Sequence, residues 1–253
     1  MPTEKLYRIW KEQIRALRPS QRITQIQNFA WLMVGIYQSR SVHLSKIAGK
    51  VSGNAKLLST VRRFERFIDN KAIEVQAWYE PVAKQWIETQ WKHLKEIRLI
   101  VDGTKIGFGH QLLMVSLAYR RRSIPIAWAW IKQVRGHSGA KKQIELLKYV
   151  RTLLPKKSVV FLVGDSEFGS IALMKQLNQW NWFYALRQKS NTGFRVDQHG
   201  KWQSLESFVR KSGPSFWLPK GFLTKQTICL SYFRAGLWES RRKRTLVSGY
   251  EYS

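Results

Sequence analysis

Two aspartates stand where an ordinary core would not choose a charge. Asp102 follows the apolar run from Arg98 to Val101, and Asp165 follows the run SVVFLVG that begins at Ser158. Both runs are rich in the β-branched and aliphatic residues that build strands, and Asp102-Gly103-Thr104 reads as the interruption of the first. Carboxylates at the tips of neighbouring strands converge. Oxygen ligands of that kind are what Mg²⁺, with Mn²⁺ as the alternative ion, needs while it keeps waters and a phosphate oxygen. A pair of such ions activates the attacking oxygen and stabilises the leaving one in phosphodiester cleavage or strand transfer. Plain structural roles compete with this reading. Asp102 before Gly103 fits a turn, and Asp165 or Ser166 fits the cap of a following helix. Glu167 is either an extra ligand or a neighbour that only shapes the field. His110 and His137 lack any paired spacing and read as surface or turn residues.

The elements that must position these carboxylates follow from the periodicity after residue 96. RLIVDGTKI, HQLLMVSLAYR and SIPIAWAWIK are strand-like runs joined by short links, which predicts an antiparallel meander. GAKKQIELLKYVRTLL reads as a helix ended by Pro155, SVVFLVGDSEF as a fourth strand buried on both faces, SIALMKQLNQW as a helix and WFYALRQK as a fifth strand. The order βββαβαβ belongs to the ribonuclease H-like fold. Residues 96–189 are therefore expected to form that core, and residues 190–253 a β-rich stretch with hairpins such as FRVDQHGKW and an irregular tail that includes Arg241-Arg242-Lys243-Arg244.

Residues 1–95 read as helical, which makes the fold class α/β, α+β overall. TEKLYRIWKEQIRAL places Leu6, Ile9, Trp10, Ile14 and Leu17 on one face, Pro19-Ser20 ends that helix and caps the next, and a later helix is expected to break at Pro81. SVHLSKIAGKV, a Ser52-Gly53-Asn54 turn and AKLLSTVRRFERFIDN have the outline of a helix-turn-helix that presents Arg62, Arg63 and Arg66 to DNA. An αα-hairpin with a solvated basic face has the same outline.

A formal net charge of +28 attracts polyanions and repels copies of the chain. Nucleic acid is favoured over a membrane surface, because no basic amphipathic anchor or lipidation signal is evident. The longest apolar stretch, FAWLMVGIY from Phe29, falls far short of the ~20 residues of a spanning helix. The single Cys229 has no CxxC partner and fits a reducing cytoplasm. A soluble, cytoplasmic, nucleoid-associated protein is expected.

VDGT at 101–104, GDSEFG at 164–169, the ALRQK strand and the β-rich stretch after it resemble the catalytic domain of IS4-like insertion-sequence transposases, which are DDE recombinases. The likeness covers most of the chain. It implies a transposase that binds the ends of its element as double-stranded DNA, assembles as a homodimer on it, and uses Mg²⁺ for cleavage and strand transfer. It assigns the first two acidic ligands to Asp102 and Asp165; in such a transposase Lys105, Arg120, Arg121, Arg122 and Arg187 are expected to hold the DNA backbone. The family's third ligand is a glutamate on a helix after a β-rich insertion. Tyr232, Arg234, Glu239 and Lys243 have the types of that motif in order but not its intervals. The expectation is that the chain stops before that helix, leaving an incomplete domain of reduced stability with apolar sheet surface exposed. A catalytically inactive remnant that only binds DNA is the alternative.

Overall fold

In a computed structural model, residues 2–107, 109–132, 138–197 and 199–208 are described, together with short strands between 216 and 249. The chain divides into two compact units, Met1–Val82 and Ala83–Ser253. Among the described residues no helix is long and apolar enough to cross a membrane.

The first unit is helical: α1 (Thr3–Leu17), α2 (Ile23–Ser39), α3 (Leu44–Ala48), α4 (Leu57–Ile68) and the start of α5 (Val75–Leu94). Its core gathers Leu6, Trp31, Leu32, Val34, Ile47, Phe64 and Phe67, with Ile14, Ile26, Ala30 and Trp78 beside them. Tyr7 stacks on Trp31 with centroids 4.1 Å apart, and Phe29 and Phe67 both meet Trp78 edge-on. Ser20 does not cap α2; Arg22 occupies that position without a side-chain bond.

The expected break at Pro81 is absent, since α5 runs unbroken from Val75 to Leu94 with Pro81 inside it. Proline removes the N–H that would bond the carbonyl four residues back, which is that of Ala77. Arg18 supplies the missing donor: its Nη1 reaches Ala77 O at 3.0 Å, and its guanidinium lies 6.0 Å from the Trp78 ring centroid.

The second unit opens with the meander β1 (Glu96–Ile106), β2 (His110–Tyr119) and β3 (Arg122–Lys132), followed by α6 (Ala140–Leu153), β4 (Val159–Gly164), α7 (Ile171–Gln179) and β5 (Phe183–Gln188). Next come β6 (Gly193–Arg195), β7 (Gln203–Ser204), α8 (Leu205–Phe208), β8 (Phe216–Leu218), β9 (Gly221–Leu223), β10 (Ile228–Leu230), β11 (Tyr232–Ala235) and β12 (Thr245–Gly249). The main sheet has the order β3-β2-β1-β4-β5-β12-β11-β8, and β10-β9-β6-β7 form a second sheet. β1, β2 and β3 pair antiparallel, whereas β4 lies parallel to β1 and β5 parallel to β4. This is the ribonuclease H-like arrangement, and the stretch after β5 is rich in strands.

Alternation assigns the two faces of this sheet. Ile97, Leu99 and Val101 of β1, Leu113, Val115 and Leu117 of β2, Val160 and Leu162 of β4 and Leu186 of β5 are buried. α6 packs against β2 and β3, and α7 against β5. The other face is more open: Trp130 is 59% and Val163 47% exposed. α5 reaches the start of the sheet through the buried Gln90, whose Nε2 donates to Ala118 O at 2.6 Å and whose Oε1 accepts from Arg98 N at 3.3 Å. Its amide therefore stands in for a ladder bond between β1 and β2.

Arg18 and Gln90 each satisfy part-buried backbone groups. Arg18→Ala is expected to lower the stability of the first unit by about 1–3 kcal/mol, and Gln90→Leu that of the second by a similar amount. Chemical denaturation followed by tryptophan fluorescence measures both, and wild-type stability in either variant would contradict the bonding role of the residue replaced.

Candidate active site

Asp102 lies inside a strand. The residues Asp102-Gly103-Thr104 do not interrupt β1, because β2 continues to pair with them: Asp102 with Met114, Gly103 with Leu113, Thr104 with Leu112. What stops at this point is the parallel pairing with β4, whose last rung joins Val101 to Gly164. The turn role considered for Asp102 is therefore not the one it has.

The same rung continues into β5, where Gly164 pairs with Leu186. One step beyond it stand Asp102 on β1, Asp165 just after β4 and Arg187 on β5. Neighbouring strands lie roughly 4.8 Å apart, and alternation puts Asp102 and Arg187 on the face opposite Val101 and Leu186, while Asp165 stands in the turn that leaves β4 between them. Asp102 and Asp165 are exposed and Arg187 is half-buried. The sequence alone pairs the aspartates; the register adds the cation.

Asp165 also shapes a turn. Its Oδ1 accepts from Glu167 N at 2.9 Å and its carbonyl from Phe168 N at 3.1 Å. It does not cap α7, and neither does Ser166; Ser170 does, accepting from Leu173 N at 3.3 Å. The turn is held down by Phe168, which is fully buried, and by Gly169, where a Cβ would come within 2.8 Å of Arg187 O. A larger residue at 169 would push the Asp165 turn off the end of β5.

Glu167 does not reach outward with Asp165. Its Oε1 accepts from Gln111 Nε2 at 2.9 Å and from Ser138 N at 2.7 Å, and the Ser138 hydroxyl bonds to the same oxygen. Gln111, Ser138 and Gln143 are all buried, and Gln143 Nε2 donates to Ser138 O and Oγ, each at 3.0 Å. Sequence reasoning missed this polar group. The signal was a glutamine at an otherwise apolar position in each of two runs, Gln111 in HQLLMV and Gln143 in KKQIELL.

The remaining candidates are spread out. Lys105 is exposed and close along β1, but alternation turns it to the face opposite Asp102. Arg120, Arg121 and Arg122 are exposed at the β2–β3 hairpin, which lies past the Leu99–Leu117 rung at the far end of β1 from Asp102. Arg62 and Arg66 are exposed on α4 in the first unit; Arg63 is half-buried, its guanidinium 5.3 Å from the Phe64 ring centroid. α3 is shorter than the sequence suggests, and residues 49–56 join it to α4. Glu239, Lys243, His137 and the basic run at 241–244 lie outside the described residues.

Among the described residues no group of three or more His, Cys, Asp or Glu side chains converges as a metal cluster. Asp102 on β1 and Asp165 just after β4 nevertheless offer hard carboxylate oxygens, both exposed. That donor set fits Mg²⁺, which binds through one or two carboxylates and keeps several waters.

No family model matches the chain, and no curated protein matches it. Among solved structures it is similar to the catalytic domain of Mos1 mariner transposase, at 15% identity and a TM-score of 0.27, over 45% of this chain and 59% of that one. It is also similar to piggyBac transposase in a synaptic complex with hairpin DNA, at 14% identity and a TM-score of 0.41, over 100% of this chain and 59% of that one. A third likeness is to Marinitoga piezophila Argonaute with guide RNA and target DNA, at 8% identity and a TM-score of 0.28, over 81% of this chain and 30% of that one. The chain thus spans about three-fifths of the length of either transposase structure. At these scores the strand order, not the likeness, carries the fold.

Proposed function

We propose that the chain is a DDE transposase of the IS4-like group, which binds the ends of an insertion sequence and cuts and joins DNA at Asp102 and Asp165. The observation that supports this most is the register: in a sheet of ribonuclease H-like order, the last rung between parallel β1 and β4 is followed on both strands by an aspartate. Asp102 and Asp165 would hold Mg²⁺, or Mn²⁺ in its place, which supplies charge neutralisation and a more acidic water when bound. The two carboxylates would orient the attacking water toward phosphorus. The water oxygen bonds to phosphorus as the 3′ oxygen leaves with a proton, and the freed 3′ hydroxyl then attacks a second phosphodiester in the same way. No covalent bond to the protein is required.

DNA recognition is assigned to two places. The helical region, residues 1–95, would bind the element's ends through Arg62 and Arg66 on α4, with Arg63 behind them. At the sheet, Arg187 stands beside the aspartates and is assigned to the phosphate being cut, with Lys105 on the flanking backbone. Arg120, Arg121 and Arg122 lie at the other end of the strands, so they meet DNA only where the duplex runs on past the cut. A homodimer on DNA would bring two element ends together.

Cleavage of a labelled duplex bearing the element's terminal repeat, in Mg²⁺ and in Mn²⁺, tests the assignment. Cutting by the wild type that disappears in Asp102→Ala and Asp165→Ala is expected; binding without cutting in every case would leave a DNA-binding protein and no catalyst. Arg187→Ala is expected to reduce the slope of log affinity against log salt by about one on a duplex just covering the cut. On that same short duplex a triple alanine variant of Arg120, Arg121 and Arg122 should leave the slope unchanged. An equal loss from both variants would contradict the placement of the hairpin.

A further inference from the structure

We propose that Glu167 is a positioning residue, a clasp that sets the separation of Asp102 and Asp165 without itself ligating a cation. The inference rests on reading the two aspartates as a metal-binding pair. Its basis is that Glu167 bonds one of them directly and abuts the residue after the other. On one side its backbone N–H donates to Asp165 Oδ1 at 2.9 Å. On the other its carboxylate lies against the backbone of Gly103, the residue after Asp102: a Cβ built on Gly103 would sit 3.1 Å from Glu167 Oε2 and 2.5 Å from Gln111 Nε2. Any side chain at 103 would therefore wedge the clasp away from β1.

Three donors anchor the carboxylate from two further segments. Gln111 belongs to β2, where it pairs with Lys105, and Ser138 precedes α6. Together they place Gln111 Nε2, Ser138 N and the Ser138 hydroxyl on Oε1. Gln143, 1% exposed, braces the arrangement by donating to Ser138 O and Oγ and to Glu167 O at 3.3 Å. Those three bonds commit Oε1 to the clasp, so a ligand role would fall to Oε2 alone. Buried polar groups joined in this way hold one geometry, since any displacement leaves donors unpaired in a low-dielectric interior.

The two roles differ in what glutamine can replace. Glu167→Gln keeps an acceptor oxygen where Oε1 stands and removes the charge; Glu167→Ala removes the acceptor. Gly103→Ala keeps the Glu167 carboxylate but crowds it and displaces the Gln111 amide, both of them ends of flexible side chains, so the fold should survive it. The test is the affinity of the full chain for Mn²⁺, read from the electron paramagnetic resonance signal of the free ion, with thermal melting as the control for folding. Binding that depends on Asp102 is expected in the wild type and within about twofold of it in Glu167→Gln. Glu167→Ala and Gly103→Ala should each weaken it by about tenfold or more, as loss of an outer-shell partner does. Wild-type affinity in Glu167→Ala and Gly103→Ala would overturn the clasp while leaving the metal pair intact. Loss in Glu167→Gln equal to that in Glu167→Ala would overturn it in favour of charge. Absence of wild-type binding, or binding indifferent to Asp102→Ala, would instead remove the metal reading on which the clasp depends.

Discussion

The parallel ladder between β1 and β4 runs from Glu96–Val159 to Val101–Gly164 and no further, while the antiparallel ladder between β1 and β2 goes on to Ile106–His110. β1 is therefore gripped on one side and free on the other just where Asp102 stands. A strand end alone would let its side chains wander with the loop. The β2 ladder fixes the backbone of Asp102, and the departure of β4 opens space beside it for Asp165. A shift of one residue in the β1–β4 register would turn Val101 outward and Asp102 into the buried face. Burial of Ile97, Leu99 and Val101 against Val160, Leu162 and Gly164 is what forbids that slip.

In each unit some polar groups find partners remote in sequence. Arg18 bonds Ala77 O, freed by Pro81, from 59 positions away. Gln90 bridges β1 and β2, and Gln111, Ser138 and Gln143 surround Glu167. A buried polar group left unpaired costs more than a lost apolar contact, so these few residues constrain geometry more tightly than the aliphatic core around them. Under the proposed clasp the same logic would connect stability with chemistry, since the side chains that hold the sheet end would also place the aspartates.

This division explains what could be read from the chain. Strand and helix order after residue 96 was legible because alternation in HQLLMVSLAY and the helical period of AKKQIELLKYV are local properties. Asp102 and Asp165 stand out as candidates because a charge at the end of an apolar run is conspicuous. The continuation of β1 through Asp102 was not legible, since it depends on pairing with β2 and Gly103 looks like a breaker when read alone. The unbroken α5 was hidden for a similar reason, as nothing near Pro81 discloses Arg18. Glu167 two residues after Asp165 suggested a shared direction, and only the donors on β2 and before α6 turn it inward. The far placement of Arg120 to Arg122 follows from strand direction, which adjacency in a sequence does not convey.

The most direct test of the central claim, that register brings Asp102 and Asp165 together as one cation site, is anomalous diffraction from crystals soaked in Mn²⁺. A manganese peak within coordination distance of both carboxylates is the predicted result. A well-ordered sheet end with manganese bound elsewhere, or at one aspartate only, would contradict it.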